Sequence, residues 1–152
     1  MKLEEVRMDE GSSSDRPKIL LPSDEITIRV RYAECDRMGL LHHANYFVYF
    51  EQGRIELLRS QGLNYKDLED QGFLLVLTHL EARYRSPTRY DDLVTLRTAV
   101  EKVTAVRIDH QYTLKRDGTL LAEAKSTLAC IGRDGRPQAL PDILRHPQPP
   151  RG

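Results

Sequence analysis

The chain has 152 residues, with 23 Lys+Arg against 23 Asp+Glu, so its formal net charge is zero. That balance removes the electrostatic case for a nucleic-acid or anionic-membrane partner, and no apolar run approaches the ~18–20 residues that span a bilayer. Apolar residues at 39% and charged residues at 30% fit one soluble domain, of a size that buries roughly two thirds of its unfolded surface without a disulfide or zinc staple.

Residues 1–24 mix charges and serines around a short Ile19-Leu20-Leu21 patch, contain no apolar signal segment, and read as a flexible leader. Residues 141–152 hold Pro141, Pro147, Pro149 and Pro150 and read as a loose Pro-rich tail. Residues 25–140 are the domain. Cys35 and Cys130 are far apart and form no C-x-x-C pair, which fits reduced thiols in a cytoplasmic protein.

The domain opens with alternation. Ile26, Ile28, Val30 and Tyr32 share one face and Thr27, Arg29 and Arg31 the other, the period of a half-buried strand. An irregular stretch, Ala33–Ala44, follows. Over Tyr46–Gln61 the period changes. Phe47, Phe50, Arg54, Leu57, Leu58 and Gln61 make a stripe bordered by Tyr46 and Gly53, which predicts a helix of about four turns, roughly 24 Å long. Asn45 or His43 is placed to cap its start, and Gly62 to stop it. Gly53 sits in the apolar stripe at a cost of up to ~1 kcal/mol in helix propensity, which implies another element pressed against it. A short helical turn is predicted over Asn64–Gln71. Strands follow over Phe73–Arg85, Leu93–Val103, Val106–Lys115 and Leu120–Ile131, with Asp117-Gly118 as a hairpin turn.

The predicted order is strand, long helix, then four strands on short links, which implies antiparallel pairing. The apolar helix stripe and the apolar sheet face must meet. The fold class is therefore α+β: a strongly bent five-stranded antiparallel sheet wrapped around one long central helix. Such a sheet leaves two open edges, and sheet-to-sheet or edge-to-edge association into a homodimer or homotetramer is the expected remedy.

The chemistry-bearing stretch joins the first strand to the helix: Tyr32-Ala33-Glu34-Cys35-Asp36-Arg37-Met38-Gly39-Leu40-Leu41-His42-His43-Ala44-Asn45-Tyr46. Asp36 is a loop carboxylate, Gly39 permits a tight turn, and the loop ends at a helix N-terminus whose free N–H groups attract an oxyanion. A carboxylate opposite oriented N–H donors is a plan for attacking a carbonyl.

The pattern Asp36-x-x-Gly39-x-x-x-His43-x-Asn45-Tyr46, set between a strand and a Phe-rich helix, resembles the hotdog-fold acyl-CoA thioesterases. The similar branch is the 4-hydroxybenzoyl-CoA thioesterase-like group. The resemblance runs from about residue 26 to 131 and includes Ala82-x-Tyr84-x-x-Pro87-x-x-Tyr90-x-Asp92. It implies the same wrapped-helix fold and a site between two subunits. It also implies that Asp36 is the catalytic carboxylate, as nucleophile or as general base toward water, and that the backbone N–H at His43 polarises the thioester carbonyl. Coenzyme A is then part of the substrate and no separate cofactor is needed. Gly39, Asn45 and Tyr46 complete the substrate-binding segment, Met38, Leu40 and Leu41 border the acyl group, and Arg85 and Arg89 are the first choices for the CoA phosphates.

Blander roles stand beside these. Asp36 is also a good turn residue, and Asn45 serves equally as a helix cap or a residue that fixes the loop. Glu34 reads as a solvent-facing strand end. Cys35 reads as a packed thiol rather than a nucleophile, because alternation turns it away from its neighbours. His42 and His43 are adjacent and lack a third ligand, so no metal is expected. Three other functions fit the resemblance: a hydratase or dehydratase on acyl thioesters, using Asp36 with His43, a binder of acyl thioesters without turnover, and a secondary-metabolite release factor acting on carrier-protein thioesters.

Overall fold

The computed structural model describes residues 21–146. Strands β1 (Ser23–Arg29), β2 (Leu74–Tyr84), β3 (Leu93–Val103), β4 (Arg107–Arg116) and β5 (Thr119–Ile131) form one sheet in the order β1-β3-β4-β5-β2. Every pairing is antiparallel. Helices α1 (Asn45–Ser60), α2 (Tyr65–Asp70) and α3 (Asp142–Arg145) complete the chain. The α+β architecture, five antiparallel strands packed on one long helix, is the one expected. β1 and β2 are the open edges.

Asp117 and Gly118 both take positive φ, 48° and 79°, at the tip of the β4–β5 hairpin, the backbone that a tight two-residue turn requires. β1 begins inside the segment expected to be leader, and the Pro141–His146 stretch folds back so that Leu144 is buried. The rest of the leader and tail readings, residues 1–20 and 147–152, lies outside the described residues.

The core forms where α1 lies on the concave face of the sheet. Tyr46, Tyr49 and Phe50 pack with Val94 and Leu96 of β3, Tyr112 and Leu114 of β4, and Leu121 and Ala122 of β5, all buried, while Leu58 joins a second buried cluster with Leu68, Ile108, Cys130, Leu140 and Leu144. This corrects the predicted stripe: Tyr49 belongs to it, and Phe47 and Arg54 lie at its border. The expected close approach at Gly53 is present. A Cβ there would sit 2.3 Å from Thr98 Oγ1 and 2.8 Å from Leu96 Cδ2, so only glycine lets α1 settle this deeply on β3.

Alternation in the first strand holds through Ile28 and Val30 but not to Tyr32, which is 80% exposed. The chain leaves the strand at Val30 and turns once as a 3-10 helix over Tyr32–Glu34, so the period-2 pattern has no meaning beyond that point. β2 pairs only along its β5 side and carries a bulge between Leu77 and His79.

Candidate active site

The Ala33–Ala44 loop is built by internal hydrogen bonds. The Asp36 N–H donates to the Leu40 carbonyl at 2.8 Å and the Gly39 N–H to the Asp36 carbonyl at 3.0 Å. The Asp36 carboxylate finishes the turn, with Oδ1 accepting the N–H groups of Met38 (2.8 Å) and Leu40 (3.2 Å). Gly39 adopts φ +74° there, a conformation that carries a steric penalty for residues with a Cβ. Asp36 is thus a turn residue through one oxygen. Oδ2 takes no hydrogen bond from the described residues.

Glu34 anchors this turn to the helix. It is buried, and Oε1 accepts from the Arg31 N–H and the Tyr49 hydroxyl, each at 2.8 Å. The Glu34 carbonyl accepts the His42 N–H at 3.0 Å and Asn45 Nδ2 at 2.7 Å. The expectation that Glu34 faces solvent is overturned. Arg31-x-x-Glu34 is the reach-back half of a capping box around one helical turn, and that spacing was a signal available in the sequence. Burial alone would raise the Glu34 carboxyl, but the donors from Arg31 and Tyr49 outweigh it and hold the group below the usual glutamate range.

Neither residue expected to cap α1 does so. The cap position is Ala44, and His42 Nδ1 accepts its N–H at 3.1 Å. Asn45 instead ties the loop to Glu34. The His43 carbonyl accepts the Tyr84 hydroxyl at 3.0 Å, which fixes the helix entry against the end of β2. Tyr84 also packs edge-on against Tyr46, whose hydroxyl donates to the buried Thr88 at 3.0 Å. Among the described residues the His43 N–H has no acceptor within the chain.

These contacts bring Asp36, Leu40, Leu41, His43, Tyr46 and Arg85 together around an open cleft of about 340 Å³, closed on its far side by Tyr84 and the Ser86–Thr88 turn. The other proposed site residues stand outside it. Gly39 shapes the turn, Asn45 braces it, and Met38 is 77% exposed. Arg89 pairs by its backbone with Leu40 and donates its N–H to Asp92 at 2.8 Å, its side chain lying at the surface. Arg85 is held at the cleft by Glu123 on β5. Tyr84 and Thr88 were missed as site residues, because only the folded sheet brings them to the helix start.

Cys35 is half-buried. Its thiol contacts the Arg31 carbonyl, and burial, reinforced by the charges of Glu34, Asp36 and Asp92, pushes its pKa up. A raised pKa disfavours the thiolate that a nucleophile needs. His42 and His43 stack with ring centroids 4.0 Å apart. Among the described residues no three His, Cys, Asp or Glu side chains converge to hold a metal ion, and no helix is long and apolar enough to cross a membrane.

A family model described as the thioesterase-like superfamily matches residues 30–148. The acyl-CoA thioesterase YbgC of Haemophilus influenzae is 31% identical over 105 residues, covering 68% of this chain and 77% of that protein. The acyl-CoA thioester hydrolase YbgC of Escherichia coli is 28% identical over 119 residues, covering 77% and 89%. A DHNA-CoA thioesterase from Staphylococcus aureus has a similar solved structure, with TM-score 0.75, 32% identity and coverage of 78% and 80%.

Proposed function

This chain belongs to the thioesterase-like superfamily, and from that premise we propose that it is an acyl-CoA thioesterase whose reaction centre is the cleft between Asp36 and the start of α1. One observation carries the reading: Asp36 and His43 line the same cleft, the first with one carboxylate oxygen unengaged and the second with a backbone N–H lacking an acceptor.

The chemistry follows from those two groups. The His43 N–H, at the positive end of α1, binds the thioester oxygen as negative charge develops on it; such a donor is typically worth about 2.7–4 kcal/mol of barrier. Oδ2 of Asp36 either attacks the carbonyl carbon or takes a proton from the attacking water. On the first route the C–S bond breaks, an Asp36–acyl anhydride forms, and water then cleaves it. On the second, water forms the C–O bond directly. Both end with the acid and with coenzyme A as the free thiol, one water consumed. The Met38 and Leu40 N–H groups hold Oδ1 throughout, so the carboxylate is oriented before substrate arrives.

Arg85 stands at the mouth of this cleft, and its exposed pair with Glu123 costs little to exchange for a phosphate oxygen. The chain acts as a homodimer or a dimer of dimers, in which association covers the open sheet edges. The reading is tested by free-thiol release from a panel of acyl-CoA esters, with enoyl-CoA hydration followed in parallel. Thiol release without hydration supports it, and hydration alone, or binding without turnover, refutes it.

A further inference from the structure

The start of α1 is not capped by its own cap residue. That residue is Ala44, whose side chain has no acceptor, so the free N–H groups of the first turn need partners from elsewhere. His42 supplies two of them. Its carbonyl accepts the Asn45 N–H at 2.9 Å, and its Nδ1 accepts the Ala44 N–H at 3.1 Å. Its own N–H donates to the Glu34 carbonyl at 3.0 Å. An exposed residue is thus held at three points, directly before His43.

The consequence falls on the oxyanion donor. The His42 carbonyl and the His43 N–H belong to one planar trans peptide, so they point in opposite directions. Holding the carbonyl against Asn45 turns the His43 N–H away from the helix, where no acceptor of the described residues meets it. The side-chain bond closes the same turn from the other side. A side-chain acceptor bonded to the N–H two residues on is the loop that Asn and Asp form. The His43 ring stacks on this imidazole with centroids 4.0 Å apart.

An imidazole accepts at Nδ1 only while that nitrogen is unprotonated; in the cation both nitrogens are donors. A protonated His42 sets Nδ1–H against the Ala44 N–H, donor against donor, and the turn opens. Imidazole is the side chain whose charge changes between about pH 5 and 8. The other ionisable groups on the loop, α1 and the end of β2 are engaged elsewhere. Glu34 bonds Arg31 and Tyr49, Asp36 Oδ1 closes its own turn, Tyr46 bonds Thr88, Tyr84 bonds the His43 carbonyl, and Arg85 pairs with Glu123. Among the described residues no carboxylate forms an ion pair with His42.

We propose that His42 is a positioning residue for the hydrolysis: neutral, it holds the His43 N–H where the thioester oxygen needs it, and protonated, it releases the start of α1 and slows the reaction. This rests on the thioesterase reading and adds a pH-dependent control to its oxyanion site.

The test measures kcat and KM for CoA-thiol release from one good acyl-CoA ester between pH 5 and pH 8, at matched folded concentration. Full-length wild type, His42→Asn and His42→Ala are compared. Asn presents an acceptor that does not titrate, and Ala presents none. Wild-type kcat is expected to fall at least about fivefold from pH 8 to pH 5. His42→Asn is expected to stay within about threefold of wild type at pH 8 and to change less than about twofold over the range. His42→Ala is expected to lose about tenfold in kcat at pH 8 with KM nearly unchanged, inside the roughly hundredfold that a misplacement of about 1 Å can cost. The pH profile of His42→Asn decides the case alone if His42→Ala does not fold. An acid limb in His42→Asn equal to that of the wild type, or wild-type kcat in His42→Ala, overturns the inference while leaving thiol release intact. Absence of thiol release by the wild type from every ester of the panel refutes the thioesterase reading instead.

Discussion

The Tyr49 hydroxyl donates to Glu34 Oε1 at 2.8 Å, tying the second turn of α1 to the loop that carries Asp36. The pair lies behind the cleft rather than in it. It sets the angle at which the loop reaches the helix start, and with it the separation of Asp36 from the His43 N–H.

Tyr49→Phe removes one donor from a buried carboxylate and is expected to destabilise the fold by about 1–3 kcal/mol, measured by urea denaturation. Glu34 titrates below its ordinary value of 4.5 in the fold. Its stabilising contribution is therefore complete above that value and is lost as pH falls through the lower folded-state value. Glu34→Gln is expected to be less stable at neutral pH and to lack this part of the acid limb. An identical acid limb in wild type and Glu34→Gln would contradict the assignment.

His110 shifts stability with pH in the same direction, through a different cause. Burial, helped by the Arg54 charge, pushes its pKa from 6.5 down to about 3. Between those values the unfolded chain takes up a proton that the fold refuses, so stability declines with acidification by up to about 1.4 kcal/mol per pH unit. His110→Phe is expected to remove that slope. Thermal unfolding at pH 7 and pH 5 measures it: the wild-type melting temperature falls more than that of the variant.

Local signals are legible in the sequence and contacts between distant segments are not. β3 occupies the residues its pattern predicts, and Gly53 announces the contact with Thr98 and Leu96, because both signals are periodic and local. Glu34 is misread because its partner Tyr49 is fifteen residues away on another element, and because alternation is extended past Arg29, where the strand stops. Asp36, His43 and Tyr46 lie on one short segment and were legible together. Tyr84 and Thr88 reach the same cleft only through strand pairing, and no spacing in the chain encodes that.

Gly53→Ala places a methyl carbon 2.3 Å from Thr98 Oγ1. The gain in helix propensity, at most about 1 kcal/mol, is smaller than an overpacking cost of about 1–3 kcal/mol, so the variant is expected to be less stable. Adding Thr98→Ala removes the nearer contact and also a buried hydroxyl without a partner. Denaturant midpoints should show partial recovery in the double variant, with Leu96 limiting the rest.

Cys35→Ser keeps a small polar side chain where the thiol touches the Arg31 carbonyl. Thiol release from acyl-CoA is expected to stay within about threefold of wild type, because a thiol held protonated contributes no nucleophile. A loss comparable to that of a catalytic group would transfer the chemistry from Asp36 to Cys35.

Asp36→Asn is the most direct test, because an amide oxygen at the Oδ1 position can still accept the Met38 and Leu40 N–H groups and so preserve the turn. Initial rates of CoA thiol release from a good acyl-CoA substrate are compared for wild type and variant at matched folded concentration. A fall of at least about a hundredfold in kcat, the lower end for loss of a positioned acid–base group, is the predicted result, with thermal stability nearly unchanged. A variant that turns over at the wild-type rate would contradict the central claim that the Asp36 carboxylate performs the hydrolysis.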